Sequence, residues 1–251
     1  MVDPGRDAEL ISIGEAARRL GVSIDTLRRW DESGRLRAIR KTPGGSRYYS
    51  EKDIDIFLHE LFKTASEWAF SAEPIEIPPD FYCPDSSIFQ ARLIRMQNLL
   101  ADVPSVIANN TLSLLVAITG EIGNNSFDHN IGNWPDRPGI YFGYDVNKGE
   151  IVLADRGRGV LATLRTVRES LNNHADSLRV AFTEIISGRA PEERGNGLKF
   201  VRRVILENPI SLSFQSGDAM LQIPKISADP DHLDIRKAAQ ELRGCIALIR
   251  F

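Results

Sequence analysis

The chain has 251 residues, 42% of them hydrophobic, which is enough for one large core or two modest ones. A net charge of −3 excludes a protein that binds polyanions over its whole surface. Two cysteines without metal-ligand spacing exclude a disulfide framework and a cysteine-built metal site.

The charge is unevenly spread. Residues 1–50 carry ten Lys/Arg and seven Asp/Glu, a balance of +3, so the rest of the chain carries −6. Between Arg28 and Arg47 seven bases face only Asp31 and Glu32. A small basic module on an acidic body is a layout for binding nucleic acid. The longest apolar run, near Leu112–Ile118, is far short of a membrane span, and the N-terminus shows no signal-peptide pattern. No membrane partner is expected, and the cytoplasm is the expected compartment.

In chain order, Ser12 with Glu15 forms a capping box that opens a helix stopped by Gly21. A second short helix runs from Ser23 to Gly34. Only Gly21 and Val22 lie between them, which predicts a tight helix-turn-helix. Two β-prone arms around Pro43-Gly44-Gly45 predict a wing. Ser50 and Asp53 open a longer helix through Ile54, Phe57, Leu61 and Trp68. Residues 72–85 hold four prolines, which cannot continue a helix. The expected division is therefore a head over 1–71, a Pro-rich linker over 72–86 and a body over 87–251.

In the body, helices are predicted near 87–101 and 110–130. A hairpin follows, turning at Asn147-Lys148-Gly149. Further helices are predicted over 160–171 and after Gly197, then a hairpin over 210–223 and a final strand from Cys245. Helices set against an antiparallel-leaning sheet make the fold class α+β, with a two-layer α/β sandwich as the body.

The predicted 110–130 helix turns polar without leaving the core. Glu121, Asn125 and His129 sit at i, i+4 and i+8, with Asp128 three residues after Asn125. At ~100° per residue this stripe lies only about 60° from the apolar one, which suits the floor of a pocket. Downstream, Asp155, Gly157 and Gly159 follow a strand and precede a helix at Val160. Gly195, Asn196, Gly197 and Leu198 repeat the device, and a helix N-terminus there can hold phosphate.

In this order and spacing the three segments resemble the GHKL ATPases, the group of gyrase, heat-shock chaperone, histidine kinase and mismatch-repair ATPase. Glu121-x-x-x-Asn125, Asp155-x-Gly157-x-Gly159 and Gly195-x-Gly197-Leu198 match the ordered boxes over roughly 87–251. The resemblance implies a Bergerat-type ATP-binding fold with ATP and Mg²⁺ as cofactors. It implies Asn125 as the magnesium-coordinating side chain, with Glu121 near it through water, and Asp155 as the reader of the adenine amino group. Gly157, Gly159 and Val160 would shape the wall, Gly195, Asn196, Gly197 and Leu198 would approach the phosphates, and Asn172–Arg194 would be a mobile lid. Glu121 would be the general base. The gyrase-like pattern favours Asp128 as the next contact, and the pattern of the anti-sigma-factor serine kinases favours His129. Two departures stand out: Arg243-Gly244-Cys245 replaces the threonine usual near the adenine, and 225–242 has no counterpart. No phosphoacceptor helix is evident, so a complete histidine kinase is not expected.

Ile11–Leu58 resembles the MerR-type winged helix-turn-helix, in the version found in excisionases and resolvases, through "TLRRWDESGRL" and "RKTPGGSRYYSEKDI". The resemblance implies double-stranded DNA as partner, with Thr26, Arg28 and Arg29 on the recognition helix and Arg40, Lys41, Arg47 and Tyr48 on the wing. Trp30 is expected in the core. One such head makes few phosphate contacts, so a homodimer is expected, through the helix after the wing or that near 87–101.

Together these features lead to a DNA-binding regulator, transcriptional or of a mobile element, coupled to Mg-ATP binding, with ATP/ADP exchange and slow hydrolysis. The alternative is an anti-sigma-factor-like protein serine/threonine kinase with a DNA-binding head and a protein partner.

Overall fold

A computed structural model of the chain describes residues 10–20, 22–32, 34, 36–42, 44–59, 61–102, 109–146, 148–185, 197–226, 229 and 231–251. The head runs β1 (Leu10–Ser12), α1 (Ile13–Leu20), α2 (Ile24–Glu32), β2 (Ile39–Arg40), β3 (Arg47–Ser50) and α3 (Glu51–His59). Its three strands pair antiparallel in the order β1-β3-β2. Capping fixes both helix starts. Ser12 Oγ accepts from the Glu15 N–H at 3.2 Å, and Ser23 Oγ accepts from the Thr26 N–H at 3.0 Å. The helix expected from Ser50 is described on both sides of residue 60, as α3 and as α4 (Leu61–Phe70).

The body continues with β4 (Tyr82–Cys83), α5 (Ser86–Ala101), α6 (Asn109–Asn130), β5 (Ile140–Asp145), β6 (Glu150–Asp155), α7 (Gly159–Leu164), α8 (His174–Thr183), α9 (Gly197–Glu207), β7 (Ser211–Ile223) and β8 (Asp234–Arg250). The five strands form one antiparallel sheet in the order β4-β5-β6-β8-β7. The fold is thus α+β with an N-terminal helix-turn-helix.

Alternation along the strands gives the sheet two apolar faces. Ile151 and Leu153 join Phe89, Leu115, Ile118, Phe182 and Val201 in a core shared by α5, α6, α8 and α9. Val152 and Ala154, with Tyr141, Ile246 and Leu248, face the other way. They pack with Leu61, Ala65, Trp68 and Ala69 of α4 and, in the same cluster, with Leu20, Leu27, Trp30 and Tyr49 of the head. Trp30 lies in the core, 4.7 Å from Phe57 between ring centroids.

Within the proline-rich stretch 72–86, Ile77, Phe81 and Cys83 are buried and β4 extends the sheet by pairing Tyr82 with Tyr141. Arg92 on α5 donates to the carbonyls of Pro79 and Asp80, both at 2.6 Å.

Three expectations are corrected. The 160–171 helix ends at Leu164 and gives way to turns, where the Thr163 and Thr166 hydroxyls bond back to the carbonyls of Gly159 and Thr163. Residues 210–223 are not a hairpin. Gly217, at φ +61°, makes an irregularity in one continuous strand, and the returning strand is β8, which takes in 234–242 of the segment that had no counterpart. The expected lid over 172–194 begins as a packed helix. Leu178 and Phe182 of α8 are fully buried, while 186–194 lies outside the described residues. Among the described residues no helix is long and apolar enough to cross a membrane.

Candidate functional site

Helix α6 acts as a ruler along one edge of the site. Asp155, at the end of β6, is 2% exposed. Its Oδ2 accepts from Ser126 Oγ at 2.7 Å, its Oδ1 accepts from the Gly157 N–H at 2.8 Å, and the Cys245 N–H also bonds the carboxylate. Burial pushes this carboxyl above its ordinary value, and the three donors work against that rise. One turn further on, Asn130 Nδ2 donates to the Ser126 carbonyl and its Oδ1 accepts from the Arg158 N–H, which fastens the glycine loop to the helix end. Sequence reasoning passed over Ser126 and Asn130, because both lie off the Glu121-Asn125-His129 stripe. Adjacency to Asn125 was the one signal for Ser126.

On the loop side, the Val160 N–H donates to Ser216 Oγ at 3.0 Å, and that hydroxyl donates to the Gly244 carbonyl at 3.1 Å. A side chain at Gly244 would run into the Asp155 backbone and carboxylate. The departure at Arg243-Gly244-Cys245 therefore brings a backbone N–H, rather than a side-chain hydroxyl, to Asp155. Burial, then the neighbouring Asp155, pushes the Cys245 thiol well above its usual range, so it stays protonated. Gly159 holds φ +74° beside the Arg243 carbonyl, a conformation that favours glycine.

Five residues before Ser126 on α6, Glu121 reaches the first turn of α9. A Cβ on Gly197 would overlap the Glu121 carboxylate, so glycine is what allows the two helices to meet there. Leu198 packs against the main core. Gly195 and Asn196 lie outside the described residues. Asn125, Asp128 and His129 are half-buried on α6. Burial, reinforced by the Arg158 guanidinium, holds His129 below the ordinary imidazole range, so it is neutral at pH 7. Among the described residues no group of three or more His, Cys, Asp or Glu could hold a metal.

Next to Asp155, Arg156 points the opposite way and is also 2% exposed. Its guanidinium donates to the carbonyls of Trp68 (2.6 Å), Ser71 (2.8 Å) and Ala72 (3.3 Å) and to Ser71 Oγ (2.9 Å). It also forms an ion pair with Asp136 at 2.7 Å, and Asp136 takes a further contact from Arg243 at 3.2 Å. This clamp joins the glycine loop, the segment after α6 and the end of α4. No local pattern around Arg156 pointed to it.

In the head, the expected DNA contacts divide into groups. Arg28 and Arg29 on α2 are 53% and 63% exposed at their side chains, and Lys41 stands exposed 5.1 Å over the ring of the half-buried Tyr48. Arg40 and Arg47 are folded back on Asp31, at 2.5 and 2.7 Å, and brace the wing. Thr26 is covered in this structure: it is 1% exposed and hydrogen-bonded to Asp80, which packs over that side of α2. Arg18 and Arg37 are exposed cations of the head that sequence reasoning did not single out.

This arrangement of capped helices, tight turn and wing agrees with a direct comparison. Residues 12–49 match the MerR family regulatory protein model. The head is a MerR-type helix-turn-helix. A type II methyltransferase of Escherichia coli, M.Eco47II, is 38% identical over 60 residues, which is 24% of this chain and 14% of that protein. The chain thus spans about one seventh of the length of the curated relative it matches.

Proposed function

We propose that the chain is a DNA-binding regulator whose MerR-type head is coupled to Mg-ATP binding in a GHKL-type, Bergerat-like body. The observation that carries the nucleotide part is the convergence on the C-terminal half of α6: Glu121 against the start of α9, and Ser126 on Asp155. A carboxylate has about four acceptor positions, and three are filled, so Asp155 keeps one for an exocyclic amine. The absence of a Cβ at Gly197 and Gly244 leaves the cradle shape that the group requires. Asn125 is the side chain to hold Mg²⁺, which when bound would neutralise phosphate charge. In this reading Glu121 would take a proton from an attacking water, with Asp128 and His129 further along the same helix beside it. A neutral His129 can accept a hydrogen bond there.

The DNA part rests on the matched head and its exposed Arg28, Arg29 and Lys41. Homodimerisation belongs to the proposal, because one head offers few phosphate contacts. The stretch in common with a type II methyltransferase is too small a part of that protein to bring its activity here.

The test has two arms. Calorimetry with Mg-ATP should show binding in the wild type and none for Asp155→Asn at unchanged fold; equal affinity in both would remove the nucleotide reading. A DNA-shift assay on the protein's own upstream region, with Mg-ATP, a non-hydrolysable analogue or neither, should show a nucleotide-dependent affinity. Phosphate release without a protein substrate separates an ATPase from a serine/threonine kinase.

A further inference from the structure

A polar residue in the first turn of the recognition helix has no ordinary reason to be buried, yet Thr26 is. Its hydroxyl donates to Asp80 Oδ1 at 2.7 Å. Arg29, one turn on, holds its guanidinium 3.8 Å from Asp80 Oδ2 and 3.3 Å from Thr26 Oγ1. A hydroxyl and a guanidinium at the N-terminal turn of a nine-residue helix form a donor set suited to phosphate oxygens. In this chain that set is already occupied by an anion, and the anion is a carboxylate supplied by the body.

The body holds this carboxylate in place. Arg92 grips the carbonyls on both sides of the Pro79–Asp80 bond, and Phe81 inserts between Trp30 and Tyr141 at ring-centroid distances of 6.1 and 5.4 Å. The Phe142 N–H donates to the Phe81 carbonyl at 2.7 Å. Beside the segment lies a cavity of about 130 Å³ lined by Leu20, Asp80, Phe81, Arg95 and Tyr144.

We infer that Asp80 is an internal competitor for a DNA backbone phosphate at the first turn of the recognition helix. The head is held in a DNA-excluding state until 79–81 lets go. This rests on the DNA-binding reading above and adds a regulatory contact to it. The exposed acid on the same helix, Asp25, lies 81% open at its side chain, pairs with Arg28 and provides the control.

The experiment measures anisotropy of a labelled 30-bp duplex with the full chain at fixed salt, beside thermal melts of every variant. Asp80→Ala should tighten binding about tenfold or more, the scale of one freed charge-assisted hydrogen bond. Asp25→Asn removes a similar charge without the clasp and should tighten it by about threefold or less. Thr26→Val should weaken binding in the Asp80→Ala background by more than any change it makes in the wild-type background. An Asp80→Ala effect no larger than that of Asp25→Asn, or a loss of affinity in a folded Asp80→Ala protein, overturns the inference. If Asp80→Ala does not fold, the isosteric Asp80→Asn decides by the same comparison. If no variant binds the duplex at any salt, it is the DNA-binding reading itself that fails.

Discussion

The two faces of the five-stranded sheet are covered in different ways. The first carries α5, α6, α8 and α9 over a core of large aliphatic and aromatic residues, and every described candidate residue for the nucleotide lies at its rim. On the second lies α4, with the head beyond it, against smaller residues such as Ala154 and Gly143, the latter in contact with Leu61. Successive residues of a strand point to opposite faces, so Asp155 serves one and Arg156 the other. A change at the end of β6 therefore reaches both the pocket and the head, and the head is no loose appendage.

The strongest way to break this comparison is to remove the large side chain that fills the second face. Trp68 is fully buried, and Trp68→Ala should cost about 3–5 kcal/mol. Because head and sheet share that core, unfolding should be one transition. Trp30 fluorescence in a Trp68→Phe/Trp134→Phe background, reporting the head, and far-UV circular dichroism, dominated by the body, should coincide in a denaturant titration. A separate early transition of the head would show that the second face is only a contact surface.

Arg156 tests the seam itself. Arg156→Ala removes the guanidinium donor from the Ser71 and Ala72 carbonyls and the closest cation from Asp136, and should cost about 3 kcal/mol or more. Arg156→Lys retains the charge but not the fork, and should fall in between. In the Lys variant, nucleotide affinity should survive while the effect of nucleotide on DNA affinity weakens. Coupling of wild-type size in that variant would place the connection elsewhere.

The sequence was most legible where backbone chemistry is local. Ser12, Ser23 and the wing glycines mark the head within a residue or two, since capping and turns depend on neighbours alone. The end of β6 at Asp155 and the start of α9 at Gly197 were legible too, because glycine-flanked element ends are what spacing can place. What stayed hidden depends on long-range packing. Arg156 looks like a pocket residue until α4 is seen beneath the sheet, and Thr26 looks like a DNA contact until Asp80 reaches it from 54 residues away. Gly217 read as a turn because a strand irregularity and a turn use the same residues.

A smaller effect sharpens the pocket side. Gly197→Ala forces the Glu121 tip to swing aside, which a flexible side chain does for about 1–2 kcal/mol or less. Nucleotide binding should suffer more than stability, by about tenfold, because the carboxylate pushed aside leaves the position proposed for it in the site. Adding Glu121→Ala should restore binding but not phosphate release. If the single variant binds nucleotide normally, Glu121 and the start of α9 do not share a site.

The smallest effect is set by pH. Burial and Arg158 hold the folded His129 below its ordinary 6.5, so the unfolded chain takes up the proton first as pH falls. The stability due to neutral His129 is fully present above 6.5, is lost as pH drops toward the lower folded value, and levels off below it. Asp136, bonded to Arg156 and lowered despite its burial, loses its contribution only below 3.8. Asp155 acts with the opposite sign, since its raised carboxyl keeps the folded state protonated at pH values where the unfolded one is not. The His129 share is therefore read as the difference between wild type and His129→Gln, in chemical denaturation at pH 7.5 and 5.5. The variant should show the shallower fall. An identical fall in both would mean that His129 is as open to protons in the folded protein as in the unfolded chain, and that the pocket floor is wetter than its burial indicates.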